Sequence, residues 1–432
     1  MIRISTSMIF NQGVANMQNR TAALLKTQNQ IANGTRILTP ADDPVASARS
    51  LEVDQSLAIN QQYQRNSDSA TTALGLSENA LTSVTTLLQD VKTTAINAGD
   101  GALSQSDLDT LGNTLRGNYQ ELLGLANNTD GNGQYLFSGY KGSTTPFAQT
   151  APGVVVYQGD QGARLTQITA SRQLPVSDAG SDIFQLIKDG NGTFASGANS
   201  ANSGTGIVSP GVVTNPVAWN AAGNPRDFTI KFNVDNTQVS PVTTYDLVNN
   251  TTGNSLLTGA ASGAGPYTRT YTDGGSINLQ SQGAEPAFDF GAQISIAGQP
   301  ATGDTFTVKA STNVDVFKTL NDLITAVENA GTSSTARAKL ANSLNVALSN
   351  VDNSLDNVLR VRSSIGARLQ EIDAAKSAGA DLVLQYQTTL SGLRDLDYAK
   401  AISDLTQQQF ILQAAQQSFA KVQGLSLFNF IT

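Results

Sequence analysis

Cysteine and histidine are both missing from this sequence. Without cysteine there is no disulfide framework, no thiol nucleophile and no thiolate metal site. Without histidine the commonest general acid–base is gone, and Ser-His-Asp triads and imidazole zinc sites are excluded with it. Charge is also scarce: Asp, Glu, Lys and Arg make up 14% of the 432 residues, against about a quarter in an ordinary soluble protein. Asn, Gln, Ser and Thr take up much of the difference, giving a surface that can hydrogen-bond to copies of itself with little desolvation of charge. The net charge of −8 argues against nucleic acid and anionic membranes as partners. No apolar run reaches spanning length, so membrane insertion is not expected. The opening Met1-Ile2-Arg3-Ile4-Ser5 lacks the apolar stretch of a signal peptide, so export, if it occurs, is expected without a cleaved signal.

What is present is a set of helical stripes at both ends of the chain. Phe10, Met17, Leu24 and Ile31 recur every seven residues, the spacing of one face of a helix. Asn33-Gly34 closes that helix. A second helix starts at Asp43-Pro44, where Asp43 caps free N–H groups and Pro44 fits the first helical position. It carries Leu81, Val84 and Leu88 and is broken by Gly99-Asp100-Gly101. A third helix follows Ser106. Helical periodicity returns at Val314, and Leu344, Leu348, Val351, Leu355, Val358, Ile365 and Leu369 form the strongest pattern in the chain, with Arg362 in one seam position. About 50 residues of helix here would extend roughly 75 Å. The register shifts after Leu393 and resumes as Leu405, Leu412, Phe419 and Val422, which places a joint between two coiled-coil segments.

Between the helical ends, Gly, Asn, Thr and Ser clusters separate short β-prone runs such as Val154–Tyr157, Phe228–Phe232, Ile277–Leu279 and Thr305–Val308. Residues 190–225 read as a mobile loop from their Gly, Ala, Asn and Ser content. The expected fold is therefore α+β: a long antiparallel coiled-coil bundle formed by both chain ends, with an inserted β-rich middle domain. The expected division is a terminal coiled-coil part (1–42 and 394–432), a helical bundle core (43–140 and 314–393) and the insertion (141–313).

Candidate chemistry is thin. Asn128, Asp130 and Asn132 have the look of a calcium loop, but Gly139 stands where the bidentate Glu belongs, and a polar turn explains them. Asp42-Asp43 is explained by capping before Pro44, and Arg394, Asp395 and Asp397 by a solvated joint. A carboxylate-only glycosidase could draw on Glu285, Asp289 and Asp304 in the middle region, and that region could instead be a displayed adhesin. No catalytic, cofactor or metal residue is assigned, and no cofactor is expected.

Two stretches carry a resemblance to a known family. Ile2–Thr6 and Ile31–Pro44 (IANGTRILTPADDP) resemble the N-terminal region of the flagellin superfamily. Leu393–Leu405 (LRDLDYAKAISDL) and the closing Leu425–Phe430 resemble its C-terminal region. Gly133–Tyr140 (GQYLFSGY), Thr145-Pro146-Phe147 and Val156–Arg164 (VYQGDQGAR) look like the hook-associated protein 3 branch of that superfamily, with flagellin itself as the alternative. The resemblance implies a non-enzymatic, secreted structural subunit of the bacterial flagellum at the hook–filament junction. It implies self-assembly into a ring or helical array and contact with a neighbouring hook-associated protein and with flagellin. It also implies type III export with a chaperone on the C-terminal helix, and motility as the process served.

The stripes fit that implication. Burying a Leu, Ile, Phe or Met contributes about 1.5–3 kcal/mol, so the four seam residues of the first helix supply at most roughly 6–12 kcal/mol, while ordering each backbone residue costs about 1–2 kcal/mol. Residues 1 to about 40 and about 395 to 432 are accordingly expected to be loosely ordered in a free subunit and to order on assembly. The inner helices are expected to fold on their own.

Overall fold

The computed structural model describes residues 6–237 and 239–424. Its helices are α1 (Thr6–Asn33), α2 (Pro44–Ala98), α3 (Gln105–Ala126), the short α4 (Gly180–Phe184) and α5 (Pro216–Asn220), α6 (Val316–Glu328), α7 (Ser334–Arg394) and α8 (Tyr398–Gly424). Among the described residues, the strands all lie between Phe147 and Val314. The expected α+β architecture, helical ends around a β-rich middle, is the one found.

The helix boundaries follow local chemistry. Asn33 ends α1 and Gly34 takes φ +71°, where a Cβ would also sit 2.8 Å from the Tyr398 hydroxyl. Asp43 Oδ1 accepts the Ala46 N–H at 3.0 Å and so caps α2, with Pro44 in the first turn. The third helix begins slightly earlier than the sequence reading places it. Ser104 and Asp107 form a capping box, each side chain accepting the other's backbone N–H, so the signal is Ser104 and not Ser106. Likewise Val314 belongs to a two-residue strand paired with Ile187–Lys188, and α6 starts after Asp315, whose carboxylate accepts the Phe317 N–H at 2.7 Å. The register shift after Leu393 is a real break: α7 ends at Arg394 and α8 begins at Tyr398.

The chain forms two compact units. One comprises Met1–Ser67, Ile168–Ser171 and Asp373–Thr432, and the other Asp68–Gln167 and Arg172–Ile372. In the second, Leu81, Val84, Leu88, Leu344, Val351, Val358 and Ile365 are buried, and Leu348, Leu355 and Leu369 are half-buried. Arg362, on the seam of α7, donates to Glu78 of α2 at 2.9 Å and to the Thr85 hydroxyl at 3.3 Å. A polar pair at one seam position fixes the register of two helices at some expense of stability.

The inserted strands form two main sheets. In the six-stranded sheet the order is Asn254–Ser255, Val242–Asn249, Asp227–Asp235, Thr305–Ala310 and Phe194–Ala198, with Arg269–Thr270 also on Val242–Asn249. In the four-stranded sheet Asp289–Ala297 pairs with Ser276–Gln280, Ile207–Val208 and Val212–Val213. Side chains of both sheets meet in one core that includes Phe194, Trp219, Phe228, Phe232, Ile294 and Phe306. Residues 190–225 are therefore not a loop. They supply three strands and α5, and Trp219, 2% exposed, packs 5.3 Å from Phe194.

Candidate assembly surface

In the unit that holds both chain ends, α1 and α8 pair antiparallel. The rings of Phe10 and Phe419 lie 5.5 Å apart, and the Thr27 hydroxyl donates to Gln408 Oε1 at 3.1 Å. Gly13 makes room for this pairing, since a Cβ there would stand 2.7 Å from the Phe419 ring. Of the seam residues, Met17, Leu24, Ile31, Leu405, Leu412 and Phe419 are half-buried and Phe10 is 44% exposed. The Val422 side chain lies outside the described residues, as do Ile2–Ser5 and Leu425–Phe430. Among the described residues of this unit, the buried apolar side chains are Ala46, Ile168 and Ala401. Two helices in contact cover only one side of each stripe. Met8, Ile9, Leu25, Ile402 and Phe410 are exposed as well, Phe410 at 71%.

The two terminal motifs meet in space. Thr35 bridges Asp395 in antiparallel sense, the Arg36 N–H donates to the Arg394 carbonyl at 2.7 Å and the Leu396 N–H to the Gly34 carbonyl at 3.1 Å. Arg36 adds a guanidinium bond to the Leu393 carbonyl at 2.9 Å and an ion pair with Asp43 at 3.1 Å. Arg394 pairs with Asp54, and Lys26 with Asp42 at 2.6 Å. The Lys26 hydrogen bond and the Thr39 N–H hold the Asp42 carboxyl down to about 2, and the Ala46 N–H and Arg36 lower that of Asp43. Arg36 and the backbone bonds thus tie the α1–α2 turn to the α7–α8 turn, Arg394 ties the latter to α2, Asp42 and Asp43 brace the first turn from within, and nothing about these residues calls for acid–base chemistry.

The middle motifs interlock in the same way. Asp160 Oδ1 accepts the N–H groups of Tyr140 at 2.9 Å and Gly162 at 2.8 Å, and the Tyr157 hydroxyl donates to the Phe137 and Asp160 carbonyls. Burial pushes that Tyr157 hydroxyl up to about 12. Gly139, at φ +69°, has no room for a Cβ against Asp160, and Gly162 none against the Tyr140 ring.

Comparison with known proteins decides what these motifs belong to. The model of the bacterial flagellin N-terminal helical region matches residues 4–142, and that of the C-terminal helical region matches residues 348–431. Together they span just over half of the sequence. The chain belongs to the flagellin family. Within that family it is 26% identical to flagellar hook-associated protein 3 of Salmonella typhimurium over 428 residues, 99% of each chain, and 26% identical to that of Escherichia coli over 429 residues. Flagellin of Bacillus subtilis is a more distant relative, 27% identical over 183 residues, 41% of this chain. Among solved structures, the flagellar junction protein FlgL from Legionella pneumophila superposes with TM-score 0.67 at 28% identity, covering 80% of this chain and all of that one. Xanthomonas campestris FlgL gives 0.66 at 28% identity, covering 78% and 99%. These relatives are structural flagellar proteins, and the chain is a flagellum component.

The sites considered for other chemistry hold structural roles in this flagellin-family chain. Asp130 Oδ1 accepts the N–H groups of Asn132 and Gln134, which makes the calcium-like stretch a turn. Glu285 pairs with the buried Arg269 at 2.6 Å. Asp304 accepts the N–H groups of Ser203, Gly204 and Ala301, and Asp289 that of Gly291. Sequence reasoning missed a row of asparagines on α7 that grips the backbone of the inserted region. Asn342 accepts the Val208 N–H at 2.9 Å and donates to the Gly206 carbonyl at 2.8 Å. Asn345 donates to Val208, Asn353 to Lys188 and Gly190, and Asn357 to Asp182 and Ile183. Asn350 accepts the Gly190 N–H. The helical spacing of 342, 345, 350, 353 and 357 was the available signal.

Proposed function

We propose that this chain is a non-enzymatic structural subunit at the hook–filament junction, built into the flagellum through its terminal coiled coils and serving as the platform on which filament subunits add. The observation that carries this reading is the thin core of the terminal unit among the described residues: its buried apolar side chains are Ala46, Ile168 and Ala401, six of the seam residues are only half-buried, and Phe10 and further apolar side chains stand exposed. Such a unit gains its missing contacts from neighbours on several sides. Phe10, Met17, Leu24, Ile31, Leu405, Leu412, Phe419 and Val422 are then the assembly seam. Residues 1–42 with 394–432 act as the assembly part, 43–140 with 314–393 as the bundle core, and 141–313 as an insertion. The neighbours are copies of the chain, an adjoining hook-associated protein and flagellin. An export chaperone on the C-terminal helix would cover the stripe before assembly, and secretion would need no cleaved signal.

Similarity along 99% of hook-associated protein 3, against 41% of this chain for flagellin, favours the junction over the filament. The test is removal of residues 413–432 in cells that depend on this protein. Hooks without filaments, with flagellin released into the medium, are expected. Normal filaments from the truncated subunit would refute the junction role.

A further inference from the structure

Sulfur is confined to one end of this chain. The three methionines are Met1, Met8 and Met17, and with no cysteine the sequence holds no sulfur atom from Gln18 onward. Met1 lies outside the described residues. Met8 and Met17 belong to α1, and the step from 8 to 17 is about two and a half turns at 3.6 residues per turn, so they stand on opposite sides of the helix. Met17 shares the stripe of Phe10, whose ring meets Phe419 of α8, and is half-buried. Met8 is 60% exposed, and its neighbour Ile9 is 49% exposed. Both methionines line a furrow that also takes in Ile9, Gly13, Ile411 and Phe419. The sulfur of this protein therefore sits in the helix whose apolar surface is left uncovered.

A thioether is apolar, and its oxidation to a sulfoxide makes it polar. With hydrogen peroxide as oxidant, the sulfur attacks one peroxide oxygen. An S–O bond forms as the O–O bond breaks, sulfur gives up two electrons, and the departing hydroxide takes the remaining proton and leaves as water. The chain offers peroxide no thiol, and its single tryptophan, Trp219, is 2% exposed. On Met8 the new oxygen projects into water, so the free subunit pays little for it. A neighbour that covered the same surface with an apolar stripe would leave that oxygen without a hydrogen-bond donor, which is unfavourable. We propose that Met8 is an oxidation site at which peroxide blocks assembly: a subunit carrying Met8 sulfoxide keeps its fold and no longer joins the array, and Met17, half-buried, reacts more slowly. The proposal rests on the assembly reading of the terminal unit.

The test treats the purified full-length subunit with dilute hydrogen peroxide, maps the sulfoxides by peptide mass spectrometry, and measures how much subunit sediments with hooks isolated from cells that lack this protein. Met8 should oxidise at least about threefold faster than Met17. Once Met8 alone is modified, the urea midpoint should be unchanged and binding to hooks should fall about tenfold or more. Methionine sulfoxide reductases should restore binding. Met8→Leu, which keeps size and apolar character, should bind hooks equally well before and after peroxide. Met8→Gln, a polar side chain of similar length, should bind as poorly as the sulfoxide with no oxidant added. Full binding by the Met8 sulfoxide subunit or by Met8→Gln would overturn the proposal, as would oxidation of Met17 ahead of Met8 or undiminished peroxide sensitivity in Met8→Leu. Untreated subunit that does not bind hooks would instead overturn the junction reading, and the proposal with it.

Discussion

Phe410 offers a clean separation of folding from assembly. It sits on α8 with 71% of its surface in water, so the free subunit gains little from it. Full burial of a phenylalanine side chain contributes about 1.5–3 kcal/mol. Roughly seven-tenths of that, about 1–2 kcal/mol, is still to be gained when a neighbour covers the ring, which corresponds to about a 6- to 30-fold effect on each association step. The part already realised within the subunit is under about 1 kcal/mol. Phe410→Ser should therefore leave urea unfolding of the purified subunit nearly unchanged, while filament-bearing hooks become scarce and flagellin accumulates in the medium. The effect should deepen when Ile402→Ser is added, because Ile402 is 52% exposed on the same helix. Two results would refute the reasoning. One is a variant subunit destabilised by about 2 kcal/mol or more, which would make Phe410 a folding residue. The other is wild-type assembly from the double variant, which would mean that this face of α8 meets no neighbour.

Three other outcomes are expected. Arg362→Ala should destabilise the α2–α7 bundle by about 2–3 kcal/mol, because Glu78 loses a charged partner at a half-buried contact; Arg362→Leu with Glu78→Leu should be close to neutral, and urea midpoints that rank the double variant with the single one would contradict this. Asn342→Ala, at a residue 7% exposed, should cost about 2–3 kcal/mol and expose residues 200–210 to proteases, since the Val208 N–H and Gly206 carbonyl both lose their partner. The Asp42 carboxyl, held at about 2 against an ordinary 3.8, contributes stability that is complete above the ordinary value and is lost as pH falls through about 2. The amide signals of Leu38 and Thr39, which donate to Asp42, should shift in that window; a carboxyl midpoint near 3.8 would remove the Lys26 pair from the joint.

The helical ends were legible because their information is local and periodic. Seven-residue spacing located α1, the Gly99–Gly101 break ended α2, and a change of register at Leu393 marked the gap between α7 and α8. The pairing of Arg362 was half legible: its seam position was visible, but its partner Glu78 lies 284 residues away. The inserted region resisted for the same reason. Residues 190–225 have the composition of a loop, and what orders them is distant: a core of aromatic side chains around Trp219 and the asparagine row of α7. Nor does periodicity reveal that the motifs at Ile31–Pro44 and Leu393–Leu405 tie two turns together. Asp42 and Asp43 look like candidates for chemistry until Lys26 and Arg36 are seen to occupy them.

The most direct measurement compares amide exchange along α1 and α8 in the free subunit and in assembled flagella, read at Leu24 and Leu412. If the terminal seams are completed by neighbouring subunits, both amides exchange readily in the free protein and become strongly protected on incorporation. Strong protection of both in the free subunit, unchanged by assembly, would mean that the chain ends form a finished domain and that their stripes are not what builds the junction.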